Sequence, residues 1–136
     1  TVQLQILSLL REIQKETGMA IILVTHDLHT VARVCDDVAI MYAGRIVEQG
    51  PVKEIFKNPA HPYTEGLLQA LPRLGADDRR LALIPGQPPA MANLPGGCRF
   101  APRCKYATNL CRDEYPDGAS APGRRAACWY ASERLP

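Results

Sequence analysis

The sequence predicts an α/β fold that passes into a region rich in proline and cysteine. Apolar residues recur at helical spacing over the first 13 residues, and an unbroken apolar run, Met19–Val24, follows. Four of the five cysteines and eight of the twelve prolines lie beyond residue 84. The chain of 136 residues therefore divides into a periodic first half and a second half whose composition disfavours regular structure.

The first two elements are a helix and a buried strand. Apolar residues of the helix fall on one stripe: Val2, Ile6, Leu9, Leu10 and Ile13. Gly18 suits the left-handed residue that ends a helix. The run Met19–Val24 is apolar at every position, which is typical of a strand covered on both faces in a parallel sheet.

A second helix and a hairpin follow the buried strand. Asp27 is placed to cap a helix that continues to Val34. Apolar residues 38–42 and the segment 45–48 flank Ala43-Gly44, which predicts a β-hairpin. Short helices are predicted over 51–56, where Pro51 occupies the first position, and over 62–71.

His26 is the candidate for chemistry in the first half. It follows the predicted buried strand directly, and ligands of open α/β sheets bind beyond the carboxyl ends of the strands. A neutral imidazole there would hydrogen-bond a phosphate or an attacking water. The alternative is a polar strand terminus satisfied by neighbouring backbone, and His29 and His61 are expected to be structural in the same way.

Charge and hydropathy exclude several function classes. Lys and Arg number 16 against 14 Asp and Glu, a net charge of +2, so the chain carries no strongly basic surface for nucleic acid. No apolar run approaches the roughly 18–20 residues of a membrane span, and the start lacks the pattern of a secretory signal.

Several motifs bear a family resemblance. The segments ILVTHDL and VCDDVAIMYAGRIVEQGPVKEIF resemble the ATP-binding subunits of ABC transporters. The segments NPAHPYTEGLLQALPRL and IPGQPP are similar to those of the subfamily that energises oligopeptide, dipeptide and nickel uptake. The resemblance implies the C-terminal part of a RecA-like ATPase core over 1–50, a helical segment over 51–76 and a Cys-rich extension over 77–136.

The resemblance also implies a role and partners. His26 matches the switch histidine, which in that family contacts the γ-phosphate of ATP bound with Mg²⁺. The implied partners are a second ATPase subunit, membrane permeases and, indirectly, an external peptide-binding protein. The implied location is the cytoplasmic, inner face of the cell membrane, and the substrate is a peptide, with nickel as the alternative.

Parts of that ATPase machinery are missing from the sequence. It contains no G-x-x-x-x-G-K-[ST] phosphate loop and no LSGGQ signature. Phosphoryl transfer depends on positioning and on charge stabilisation around the phosphates, so we expect no ATP hydrolysis by this chain alone. A severed sheet would leave apolar surface exposed, and self-association of the chain is therefore expected.

The cysteines of the second half are spaced as C-x5-C-x6-C-x16-C. They are Cys98, Cys104, Cys111 and Cys128. Spacing alone leaves a [4Fe–4S] cluster, zinc and reduced thiols open, although structural zinc sites usually contain closer pairs. The resemblance favours the cluster, with zinc as second choice, because some family members bind one in this extension, and it places the chain in a compartment where disulfides are rare.

Several arginines stand near these cysteines and would offset an anionic cluster: Arg99, Arg103, Arg124 and Arg125. The rival hypothesis is a free-standing metal-binding or redox-sensing module. It explains the cysteines but not the segment around His26 that precedes them.

Overall fold

The computed structural model describes residues 2–71 and 83–135. The chain forms two compact units, Thr1–Asp36 and Asp37–Pro136. The division into 1–50, 51–76 and 77–136 rests on resemblance and composition and stays a prediction; its boundary between 76 and 77 falls outside the described residues.

The first unit contains two helices joined by an extended segment. Helix α1 spans Val2–Thr17 and α2 spans Leu28–Val34, both as predicted. The Arg11 guanidinium donates a 3.0 Å hydrogen bond to the Arg33 carbonyl and links the two helices. Gly18 has φ +71°, the left-handed conformation expected after a helix.

The predicted buried strand Met19–Val24 is not formed within the described residues. Its side chains are exposed, with Ile22 at 92% and Val24 at 93%. An apolar run indicates that its side chains favour burial. A strand also needs a neighbouring strand that accepts and donates its backbone hydrogen bonds. No described segment supplies that neighbour, and the apolar stripe of α1 is exposed as well.

The second unit is built on a four-stranded antiparallel sheet of order β1-β2-β4-β3. The strands are β1 Asp37–Tyr42, β2 Arg45–Pro51, β3 Ala119–Ala121 and β4 Arg124–Ala126. The expected parallel sheet is therefore wrong for the described residues, where every strand pairing is antiparallel. The region expected to be irregular contributes two of the four strands.

The predicted hairpin is confirmed. Ala43 and Gly44 have φ of +45° and +79°, so both central residues of the turn are left-handed, as tight hairpins require. Ile40 pairs with Glu48 whereas Met41 pairs with Ile46, so the register shifts by one residue between them. This bulge turns both Val47 and Glu48 inward, although neighbouring strand residues normally face opposite sides.

Short helices complete the second unit. They are α3 Val52–Lys57, α4 Pro62–Gln69 and α5 Asn109–Asp113, together with 3-10 turns at Ala101–Arg103 and Ala131–Glu133. Helices α3 and α4 occupy the predicted positions, except that Pro51 ends β2 and caps α3 instead of opening it. No helix or strand occupies 83–100, as its proline and glycine content predicts.

The core joins the hairpin to the cysteine-rich region through aromatic side chains. Phe100 packs edge-on against Tyr42, with ring centroids 5.3 Å apart, and lies 5.5 Å from the ring of Tyr63. Ile55 is fully buried beside them. Residues far apart in sequence thus share one apolar cluster, which holds the Cys98–Cys104 segment against β1.

A buried ion pair crosses the middle of the sheet. The Arg124 guanidinium Nη2 donates to Glu48 Oε1 at 3.1 Å, and their side chains are 4% and 0% exposed. Glu48 also accepts from the backbone amides of Ala60 and His61, at 2.8 and 2.9 Å. Arg124 Nη2 donates to the Asn58 carbonyl at 2.7 Å, so the pair ties β2, β4 and the loop before α4 together.

Removing one member of this pair should unfold the second unit readily. Glu48→Ala leaves a buried guanidinium without its counter-charge, and we expect a loss of about 3–5 kcal/mol of unfolding free energy. Urea unfolding followed by fluorescence of Trp129, the single tryptophan, measures it. Arg125→Ala, on the exposed side of the same strand, is the matched control and should change stability by less than about 0.5 kcal/mol. A cost below about 1 kcal/mol for Glu48→Ala would contradict the buried pair.

Candidate functional site

His26 lies in the first unit, in a bend between the extended apolar segment and α2. Its side chain is exposed. The following residue, Asp27, caps α2: its carboxylate accepts from the His29 amide at 3.0 Å and from the Thr30 hydroxyl at 2.5 Å. The cap fixes where the helix begins, so the backbone at His26 has a defined direction.

The carboxylate of Asp27 is held in its charged form. The hydrogen bond from the Thr30 hydroxyl lowers the pKa of Asp27, and the backbone amides of His29 and Thr30 add to the effect. An ionised residue therefore stands next to His26, whose role as a switch histidine stays a prediction.

The four predicted cysteines lie around one cavity of about 280 Å³ in the second unit. Cys111 is buried, and the other three are half-buried. The rest of the wall is largely aromatic and includes Phe100, Tyr106, Trp129 and Tyr130, with His61 and Arg134 as its basic side chains. Residues 98–128 are thus folded so that all four thiols face the same space.

A glycine brings two of the cysteine segments together. The Cys98 amide donates to the Cys111 carbonyl at 2.8 Å. A Cβ at Gly97 would come within 2.5 Å of the Cys111 and Arg112 carbonyl oxygens, closer than real Cβ atoms approach backbone. Only glycine allows this contact, so Gly97 sets the distance between the Cys98 and Cys111 segments.

The remaining cysteines are held by short backbone elements. The Cys104 amide donates to the Ala101 carbonyl at 3.2 Å and closes the 3-10 turn that begins after Phe100. Cys128 lies two residues after the end of β4, and the intervening Ala127 amide donates to the Val47 carbonyl at 2.8 Å. The sheet therefore positions Cys128, and the aromatic core positions Cys104.

The thiols repel one another's ionisation. Burial raises the pKa of Cys98, Cys104 and Cys128, and the nearby cysteines raise each of these pKa values further. The charge of each thiolate thus disfavours ionisation of the other cysteines around the cavity, and a bound cation would reverse that effect.

The four thiols are the potential ligands for either of the two predicted cofactors, zinc or a [4Fe–4S] cluster. A tetrahedral zinc ion needs sulfurs roughly 3.8 Å apart, as follows from a Zn–S bond of about 2.3 Å. The described residues hold no group of three or more potential ligands gathered closely enough for a metal ion. Neither the expected zinc site nor the expected [4Fe–4S] site is therefore confirmed. Four thiols around one cavity are nevertheless the kind of donor set that holds a [4Fe–4S] cluster.

His61 was expected to be structural, and it forms part of the cavity wall as a neutral base. Its Nδ1 accepts from the Tyr63 amide at 3.0 Å and caps α4. Burial and, to a smaller extent, the charge of Arg134 lower the pKa of His61 to about 4, although a hydrogen bond to the Ala127 backbone opposes them. Sequence spacing gave no sign of this environment, because the burial comes from segments distant along the chain.

Glu65 anchors the Cys104 loop to α4. Its carboxylate accepts from Lys105 at 3.0 Å, Tyr106 at 3.2 Å and Arg134 at 2.9 Å. Burial raises the pKa of Glu65, but these hydrogen bonds outweigh it and the net pKa is lowered. A carboxylate held in its charged form thus joins the residues on either side of the cavity, a role that the sequence alone did not reveal.

The arginines predicted to offset a cluster are engaged elsewhere. Arg124 pairs with Glu48, Arg103 donates to the Pro85 carbonyl at 2.8 Å, and Arg99 donates to the Ala43 carbonyl. Arg125 is also drawn away, to the Asp117 carbonyl at 3.0 Å. The arginine in the cavity wall is Arg134, because the C-terminal 3-10 turn folds back over the site.

Known proteins of one kind are similar to this chain in sequence. The profile of the oligopeptide/dipeptide transporter C-terminal region matches residues 47–111, which include three of the four cysteines. The oligopeptide transport ATP-binding protein OppD of Salmonella typhimurium is 47% identical over 135 residues, 99% of this chain and 40% of that protein. The chain is thus similar to the C-terminal region of oligopeptide and dipeptide transport ATP-binding proteins.

Other relatives in the family match equally well. A putative peptide import ATP-binding protein of Brucella ovis is 52% identical over 126 residues, 88% of this chain and 37% of the relative. The dipeptide transport ATP-binding protein DppD of Escherichia coli is 47% identical over 131 residues, 96% of this chain and 40% of the relative. The chain thus spans about 40% of the length of these relatives and corresponds to their C-terminal region.

No helix within residues 2–71 and 83–135 is both long enough and apolar enough to cross a membrane.

The neutral His61 predicts a specific loss of stability in acid. The unfolded chain takes up this proton near the ordinary pKa of 6.5, whereas the folded chain resists it until about pH 4. The associated stability is complete above pH 6.5 and falls by about 3 kcal/mol as the pH drops through that window. Urea unfolding of the metal-free, reduced chain between pH 7.5 and 4.5 measures the slope.

His61→Asn is the variant that tests this assignment, since asparagine also caps a helix but does not titrate. Its stability should fall less steeply than that of the wild type over the same pH range. His29→Asn, which changes an exposed histidine, should keep the wild-type slope. Parallel curves for the wild type and His61→Asn would refute the assignment.

Proposed function

We propose that this chain acts as the C-terminal region of an ATPase subunit that energises oligopeptide or dipeptide import. The observation that carries the proposal is its 47% identity over 135 residues to an oligopeptide transport ATP-binding protein. The match to a dipeptide transport relative over 96% of the chain supports the same substrate class. Peptide is favoured over nickel because each of the relatives compared is a peptide transporter by name.

Within that subunit, His26 is proposed to contact the γ-phosphate of ATP and to orient the attacking water. Its position supports this: it follows an apolar segment directly and precedes a capped helix, and its side chain is free to meet a ligand. ATP and Mg²⁺ would be held largely by parts of the subunit outside this chain, since the sequence has no phosphate loop.

The exposed apolar surface of the first unit fits the same proposal. Ile22 and Val24, together with the α1 stripe, require cover that the described residues do not supply. In the family, the larger part of each relative lies outside the match, and strands of that part would pair with 19–24. A second ATPase subunit, membrane permeases and an external peptide-binding protein are the proposed partners at the inner face of the membrane.

The cysteine cavity is proposed to hold a [4Fe–4S] cluster. The observation that supports it is that Cys98, Cys104, Cys111 and Cys128 all line one cavity. When bound, the cluster would supply cross-linking of the core-poor 83–135 region to the sheet. The chain's own contribution is to exclude water with an aromatic wall and to fix the ligands with Gly97 and the 3-10 turn.

A chimera tests the ATPase role. In it, this chain replaces the matched region of OppD of Escherichia coli, a relative 47% identical over 135 residues. The chimera should hydrolyse ATP and support oligopeptide uptake, and the 136-residue chain alone should do neither, because it lacks a phosphate loop. His26→Ala in the chimera should lower ATP turnover by about 100-fold or more while ATP still binds.

His29→Ala provides the matched control for that experiment, because it removes an exposed imidazole from the first turn of α2. Its turnover should stay within about twofold of the unmodified chimera. Near-normal turnover of His26→Ala would remove the switch role, and a chimera that folds but does not restore uptake would remove the proposed function.

Anaerobic purification of the chain tests the cofactor. We expect about four iron and about four sulfide per chain and a broad visible absorbance. Cys111→Ser should lose the iron and the colour, whereas Cys35→Ser, which alters the one cysteine outside the cavity, should keep both. A colourless chain with stoichiometric zinc would replace the cluster with zinc, and a metal-free chain would leave reduced thiols.

A further inference from the structure

Two hydroxyl groups form a hydrogen-bonded chain that ends on one cysteine. Thr108 Oγ1 lies 3.4 Å from Cys111 Sγ and 3.1 Å from the Tyr130 hydroxyl. Thr108 precedes α5 at its N-cap position, and Cys111 lies in the first turn of that helix. The same Tyr130 lines the cysteine cavity. Tyr130 is thereby connected to the one residue of the four cysteines that is buried.

The Thr108 hydroxyl is not used for the purpose that its position suggests. A threonine at an N-cap normally accepts a hydrogen bond from an amide of the first turn. Here no such bond is made by the Thr108 side chain, and its hydroxyl faces the sulfur and the phenol instead. The helix thus begins without its usual cap, and the hydroxyl is left free for Cys111.

The chemistry of a ligating sulfur fixes the direction of both hydrogen bonds. A cysteine bound to iron is a thiolate with no proton, so it only accepts. Thr108 must then donate its single proton to Cys111 Sγ, which leaves its oxygen lone pairs to accept from Tyr130. The Tyr130 proton orients the Thr108 hydroxyl and makes it a stronger donor, because linked hydrogen bonds polarise one another.

Resting on the cluster of the proposed function, we propose that Thr108 is a positioning residue for Cys111. Its hydroxyl, oriented by Tyr130, donates to the ligating sulfur and raises the reduction potential of the cluster. The reduced cluster carries one more negative charge, and a donor to its ligand stabilises that form more than the oxidised one. The same bond holds the Cys111 side chain in place, and we expect it to slow loss of the cluster in air.

The test is a redox titration of the anaerobically purified 136-residue chain and its variants. Dithionite passes one electron to the cluster, and visible absorbance and electron paramagnetic resonance report the midpoint potential. Thr108→Val, which keeps the shape and removes the hydroxyl, should shift the potential in the negative direction and shorten the half-life in air severalfold. Thr108→Ser, which restores a hydroxyl, should return both values toward the wild type.

Two tyrosine variants make the test specific. Tyr130→Phe keeps Thr108 but removes its orienting donor, and should shift the potential in the same direction by a smaller amount. Tyr106→Phe removes another hydroxyl of the cavity wall, one that bonds Glu65 and no sulfur, and should leave the potential unchanged. If Thr108→Val loses its cluster altogether, the potential of Tyr130→Phe is the test: a negative shift supports the role of Thr108, and an unchanged potential overturns it.

The outcomes distinguish failure of the Thr108 role from failure of the proposed cluster. A wild-type chain without iron overturns the proposed cluster and this role with it. A wild-type chain with a cluster whose potential is the same in Thr108→Val and Tyr130→Phe overturns the role of Thr108 alone. An equal shift in Tyr106→Phe would also overturn it, because the effect would then belong to the polarity of the wall.

Discussion

The second unit depends on the buried ion pair between Glu48 and Arg124. Removing two charges from water is costly, and the cost is offset by the ion pair together with further hydrogen bonds, two to Glu48 and one from Arg124. Glu48 uses its carboxylate for two backbone amides ahead of α4, and Arg124 also binds the Asn58 carbonyl. The pair therefore fixes three segments at once, and the sheet, the loop before α4 and the cysteine region take their places around it.

The cysteine cavity follows from that arrangement. Strand β4 carries Arg124 and leads to Cys128, while the hairpin side chain Tyr42 packs on Phe100 between Cys98 and Cys104. The cysteine cavity is thus held in place by two sets of contacts: the polar contacts of the sheet and the apolar contacts of the aromatic core. The site has little backbone structure of its own and is shaped by the hairpin on which it rests.

Local features of this fold are predictable from sequence, and its long-range pairings are not. The hairpin and the helix starts depend on neighbours, so Asp27 and the Ala43–Gly44 turn reveal them. The four cysteines could be predicted as a site because of their residue type alone. Strands β3 and β4 are three residues each, without an apolar pattern, and the burial of Glu48 needs both a bulge and a partner far along the chain. The run at 19–24 indicates a need for cover but does not say what supplies it.

The separation of Glu48 and Arg124, 76 residues in sequence, has a consequence during synthesis. At about 5–20 residues per second, roughly 4–15 s pass between the emergence of the two side chains. Throughout that interval the outer edge of β2 has no strand beside it and invites pairing with other chains. The carboxylate of Glu48, still hydrated, places a charge on that edge and discourages such pairing until Arg124 arrives. Glu48 thus first discourages pairing with other chains and later stabilises the sheet through its ion pair with Arg124.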